Sequence, residues 1–203
     1  MIPVVLVHGT HGRADPWHWA GSPLPMELGL RGFAVFDFLW SGILAGVPTT
    51  LPGDPRESTL GADQGDLLPW LDAGEKLRLY CQANGLECPA VICHSHGLQV
   101  VTYAAARGQR FSTVLSLSGP VRRDMQRARR AASGRITRWV QVTDPTGRDT
   151  TILEGEAFDG HLGWHLELPE ATDNLFAPGQ GHSGLTVDVE AWEPLGLWAA
   201  LAA

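Results

Sequence analysis

Ala90-Val91-Ile92-Cys93-His94-Ser95-His96-Gly97-Leu98-Gln99-Val100-Val101 is the stretch on which the fold of this chain turns. An apolar run suited to a buried parallel strand ends, a short motif follows, and a helical pattern starts with no connecting loop. The pattern small-x-Ser-x-Gly at such a turn exposes a serine hydroxyl at the edge of a sheet, because the turn is too tight for larger side chains. Gly97 fills the last position, and Cys93, also small, stands where glycine is usual. At the start of a helix Ser95 meets the helix dipole and free backbone N–H groups, which favour developing negative charge. The ordinary alternative is a serine that caps a helix, and the stretch alone leaves both readings open.

Outward from this turn, β-rich and helical patterns alternate, which predicts an α/β protein with a mostly parallel sheet covered by helices. Strands are expected at Pro3–Val7, Gly32–Trp40, Cys88–Cys93, Phe111–Leu117 and Ile136–Thr143. Helices are expected at Leu24–Arg31, Leu67–Ala83 (ended by Asn84-Gly85), Leu98–Arg107 and an arginine-rich Val121–Ala132. A last helix or helical turn is expected near Asp188–Leu201. Residues 41–66, rich in Gly, Pro, Thr and Asp, read as a long loop of the kind that serves as a reduced lid. A chain of 203 residues fits one domain, 1–203, better than two, and no internal repeat is visible.

Partners for the serine stand at both ends of the chain. The first strand runs into His8-Gly9-Thr10-His11-Gly12. A His-Gly pair there places a backbone N–H opposite the serine, with Thr10 the candidate donor and His96, after the serine, the second. An ordinary strand-ending turn is the plain alternative. Near the other end, Gly179-Gln180-Gly181-His182-Ser183-Gly184 sets a histidine among small residues, where its ring can swing into a site as general base and then acid. His161 and His165 rank below it. The acid that orients this ring is expected between the fifth strand and His182, in Asp144-Pro145-Thr146-Gly147-Arg148-Asp149. Asp149, deeper in the loop, is favoured; Asp144 is the alternative, although a strand-end aspartate before proline can simply set the turn. Asp159 and Asp173 are outsiders.

The order Ser95, then Asp149 or Asp144, then His182 resembles that of the α/β-hydrolases. The opening Val5-Leu6-Val7-His8-Gly9, the turn His94-Ser95-His96-Gly97 and the closing Gly181-His182-Ser183-Gly184-Leu185 are similar to those of small bacterial esterase- or lipase-like members. The resemblance implies a sheet of about six strands with a minimal or absent cap. It also implies ester or thioester hydrolysis through an acyl-enzyme, with no cofactor. It does not name the substrate, because this fold serves many chemistries.

Composition narrows the partners. The formal net charge of −7 argues against nucleic acid as the main partner. No apolar run approaches the length of a membrane helix. Met1 leads straight into the first strand without a secretory pattern, so a cytoplasmic protein acting on a small-molecule ester or acyl substrate is expected. Cys81, Cys88 and Cys93 match no common zinc spacing, and reduced thiols and no metal are expected. Among the eight tryptophans, Trp17, Trp19 and Trp40 cluster near the first two strand ends. Trp17 and Trp40, with His8, are candidates to line a substrate pocket, and equally candidates for core packing. Arg122, Arg123, Arg127, Arg129 and Arg130 read as a solvated helix face, whose start could meet an anionic group. A non-catalytic binding protein on the same fold, and an acyltransferase or amidase using the same serine, are the competing readings. The sequence sets no oligomeric state.

Overall fold

The main sheet has six strands, β1 (Ile2–Val7), β2 (Phe33–Phe38), β3 (Ala90–His94), β4 (Phe111–Leu117), β6 (Ile136–Thr143) and β8 (Asp173–Phe176). They lie side by side in the order β2-β1-β3-β4-β6-β8, every neighbouring pair parallel. A separate two-residue ribbon pairs β5 (Val121–Arg122) antiparallel with β7 (Leu162–Gly163). This is a computed structural model, and it describes residues 1–9, 16–40, 64–122, 125–146, 162–163 and 167–202.

The apolar strand runs are continuous because both faces of the sheet are covered. Val5, Val7, Val91, Cys93 and Val114 pack on one face against α2 (Gln64–Ala83), α3 (Gly97–Ala106) and α4 (Gln126–Ser133). Val4, Leu6, Ile92, Leu115 and Val142 pack on the other against α1 (Pro23–Leu30) and the C-terminal helices α5 (Gly184–Val187) and α6 (Leu197–Ala202). Alternate residues of one strand thus belong to opposite cores, as a period of two requires. The chain leaves β1 in one direction to reach β2 and returns to β3 on the other side. The crevice beyond the ends of β1 and β3 is where open α/β sheets bind ligands.

The bounds of β4 and β6 agree with the sequence expectation. β3 begins two residues later, after Pro89, which has no N–H to give to the ladder. α2 starts at Gln64 rather than Leu67, so residues 64–66 are helix and not loop. The rest of the lid-like segment, 41–63, lies outside the described residues. The arginine-rich helix does not start at Val121. Val121 and Arg122 form a strand, and the helix runs over Gln126–Ser133. Nor is it a wholly solvated face. Arg122 is fully buried with its guanidinium 4.7 Å above the Trp70 ring, and Arg129 bonds Glu170 at 2.9 Å. Arg127 and Arg130 are the exposed members, and Arg123 is not among the described residues. β8 was not foreseen: Asp-Asn-Leu-Phe is a short, partly exposed edge strand without an apolar run. Among the described residues, no helix is long and apolar enough to cross a membrane.

Candidate active site

Strand register sets the row of residues at the C-terminal edge of the sheet. His94 pairs with Leu117, Leu117 with Val142, and Thr143 with Phe176. The residues that follow, Ser95, Ser118 and Asp144, therefore emerge on one side from three adjacent strands.

Ser95 occupies the two-residue turn between β3 and α3 with φ +54°, a left-handed conformation rare for a serine. Such a backbone costs about 1–3 kcal/mol and persists only where its surroundings impose it. Here they do. Ser95 N–H donates to the Leu117 carbonyl at 3.0 Å, and its own carbonyl accepts from Leu98 N–H at 3.1 Å, opening the helix. Two glycines allow the close packing. A Cβ on Gly97 would lie 2.5 Å from the Val7 carbonyl oxygen, so the first turn of α3 rests directly on the end of β1. A Cβ on Gly9 would lie 2.6 Å from Ser95 Cβ and 3.2 Å from Ser95 Oγ, so the backbone at Gly9 lies against the serine.

The Gly9 carbonyl is itself held. His8 Nδ1 donates to it at 2.8 Å, while His8 Nε2 accepts from Trp40 N–H at 3.2 Å. A carbonyl only accepts and an amide only donates, so His8 is the neutral Nδ1–H tautomer. Its ring stacks with those of His18, at 5.2 Å, and Trp40, at 5.5 Å. His8, Trp17 and Trp40 are all at most 4% exposed, a burial that supports packing. Trp19 is about half exposed. Thr10 is outside the described residues, and His96 follows Ser95 with its ring stacked 5.0 Å from Trp70.

His182 lies on the loop after β8, at the same edge. Its ring centroid is 4.8 Å from that of His94, whose Nε2–H donates to the His182 carbonyl at 2.9 Å. Asp144 follows β6 directly and uses its two oxygens differently. Oδ1 accepts from the backbone and hydroxyl of Thr146, at 2.8 and 2.6 Å, and makes the turn. Oδ2 accepts from Gly181 N–H at 2.7 Å, reaching the residue before His182. Burial alone would raise the Asp144 pKa, but the hydrogen bonds from Thr146, Gly181 and Gly179 outweigh it and hold the carboxyl below its ordinary value. Asp173 bonds Arg138 at 3.0 Å on the β6–β8 pair. Asp149, Asp159 and His161 and His165 lie outside the described residues.

Cys93 is fully buried, and burial pushes its thiol up to about 12, partly countered by the Ser116 hydroxyl. It is no competing nucleophile, because the reactive species is the thiolate. Among the described residues no group of three or more His, Cys, Asp or Glu is placed to hold a metal ion. Two residues of this edge escaped the sequence reading, His94 and Ser118. His94 filled a variable position of the motif, and the only signal for Ser118 was its place between a strand and Gly119-Pro120.

Neither a protein-family model nor a curated protein matches the sequence. Solved structures do match it along its whole length. A predicted CIB-like hydrolase from Thermoplasma acidophilum superposes with a TM-score of 0.61 at 16% identity, covering 100% of this chain and 87% of that one. A structure from a study of carboxylesterases of Nitrososphaera gargenis gives 0.55 at 15% identity, covering 99% and 91%. A mature lipase from Bacillus licheniformis gives 0.55 at 13% identity, covering 98% and 91%. The chain has the α/β-hydrolase fold.

Proposed function

We propose that this chain uses that fold as a serine hydrolase, cleaving a carboxylic ester or thioester through an acyl-enzyme on Ser95. The observation that carries the reading is the strained Ser95 at the β3–α3 turn, pressed against the backbone of Gly9 at the ligand-binding edge of the sheet. A strained residue held by its surroundings at such an edge is the form in which functional sites store backbone energy.

In the proposed reaction His182 takes the Ser95 proton as Oγ attacks the acyl carbonyl, then delivers it to the leaving alkoxide or thiolate. Water, deprotonated by the same imidazole, attacks the acyl-enzyme and returns Ser95. The negative oxygen of each tetrahedral intermediate is met by backbone N–H groups of His96 and Thr10, a contribution worth roughly 10²–10³ in rate per donor. Asp144 is the acid we assign in preference to Asp149. It stands directly at the end of β6 and its Oδ2 already grips the histidine loop at Gly181. No cofactor enters this scheme. We propose a single domain in which segment 41–63 serves as a lid.

Hydrolysis of p-nitrophenyl esters and acyl thioesters of graded chain length tests the reading. Turnover is expected in the parent, with loss of at least about 10³-fold in Ser95→Ala and His182→Ala, as for paired nucleophile and base. Turnover that survives unchanged in Ser95→Ala overturns it.

A further inference from the structure

The loop that carries His182 is rich in glycine. Gly179 and Gly181 precede it, both with positive φ (86° and 61°), and Gly184 follows. Such a backbone has more freedom to lose than any other, so something must hold it if the ring is to meet a fixed partner. Three backbone polar groups of Gly181 and His182 are taken by three side chains. Asp144 accepts from Gly181 N–H at 2.7 Å. The Ser118 hydroxyl approaches the Gly181 carbonyl at 3.4 Å. His94 Nε2–H donates to the His182 carbonyl at 2.9 Å. These side chains come from the ends of β6, β4 and β3, so the loop is referenced to the sheet itself.

His94 differs from the other two in place. It is bonded covalently to Ser95 and hydrogen-bonded to His182, so one residue sets the nucleophile and the base against each other. The residue is only 5% exposed, and its ring meets Trp17 edge-on at 6.1 Å and His182 at 4.8 Å, which limits the positions that Nε2 can take. From this geometry we infer that His94 is a positioning residue, holding the His182 backbone at the distance from Ser95 that proton transfer needs. The inference rests on the hydrolase reading for its kinetic consequence, but its structural content stands alone.

Two variants separate the hydrogen bond from the packing. His94→Phe keeps a ring but has no donor. His94→Gln gives up the ring and keeps an N–H donor at a similar reach. A misplacement of about 1 Å costs on the order of 10²-fold in rate, so His94→Phe is expected to lose roughly 10- to 100-fold in kcat, with KM changed less than about threefold. His94→Gln is expected to stay within about threefold of the parent in kcat, because the donor persists. Hydrogen exchange at residues 179–184 is the second readout: faster in His94→Phe, parental in His94→Gln. Parental exchange and kcat in His94→Phe overturn the inference. So does equal impairment of both variants, which would make the role one of ring packing. Lack of Ser95-dependent turnover in the parent would instead overturn the hydrolase reading, and the exchange data would still decide how His94 acts on the loop.

Discussion

Gly9→Ala adds a single methyl group where the structure has no room for one. The new Cβ would lie 2.6 Å from Ser95 Cβ and 2.9 Å from the His94 carbonyl oxygen, where ordinary contact begins near 3.4 Å. The shortfall is about 0.8 Å, against atoms that cannot swing aside. Gly9 is not among the glycines with positive φ, so alanine suits its backbone and the effect is purely steric. The β1 end is pinned, with Trp40 Nε1–H on the His8 carbonyl at 2.7 Å and His8 on the Gly9 carbonyl at 2.8 Å. The displacement must therefore separate the Gly9 backbone from Ser95. A shift approaching 1 Å, or loss of one oxyanion donor, each costs about 10²-fold, so kcat/KM is expected to fall about 100-fold, or ~2.7 kcal/mol. Overpacking of this kind costs a further ~1–3 kcal/mol of stability. Steady-state ester hydrolysis with thermal unfolding on the same samples measures both. Gly29→Ala, on the exposed side of α1 with nothing within 4 Å of its new Cβ, is the control. A folded Gly9→Ala protein with parental kcat/KM would refute the placing of Gly9 against a working serine.

Asp144→Asn should destabilise the fold at neutral pH. The Asp144 carboxyl lies below its ordinary 3.8 in the folded state, so the ionised group stabilises the fold above that pH and the benefit is lost as pH falls through the folded value. The stability gap between parent and variant, measured by urea unfolding, is expected to be constant above pH 5 and to shrink below 3.8; a gap independent of pH would deny the carboxylate this role. Of the three cysteines, Cys88 alone is exposed, whereas burial pushes Cys81 and Cys93 up to about 12. Iodoacetamide is expected to modify one thiol in the native protein and three after denaturation, counted by intact mass.

Much of this architecture is legible because continuous apolar runs bounded by turn residues can only be buried strands. Phe111–Leu117 and Ile136–Thr143 are read to the residue for that reason. β8 is not legible: a four-residue edge strand with two polar residues carries no periodicity to detect. Arg122 misleads in the opposite direction, since its charge suggests a solvated helix while it is entirely buried over Trp70. At the site, Ser95, His182 and the His-Gly pair are visible as motifs. The second contact of Asp144 is not, because an aspartate before proline has one evident task and the partner of its other oxygen, Gly181, lies 37 residues away. The same holds for His94, whose neighbour in sequence is Ser95 and whose hydrogen-bond partner is His182.

Reaction with a fluorophosphonate, followed by peptide mass spectrometry, tests the nucleophile most directly. One phosphonylated residue, Ser95, is expected, with labelling abolished in Ser95→Ala and strongly slowed in His182→Ala. A parent protein that stays unmodified, or a Ser95→Ala protein labelled at the parental rate, would contradict Ser95 as the nucleophile.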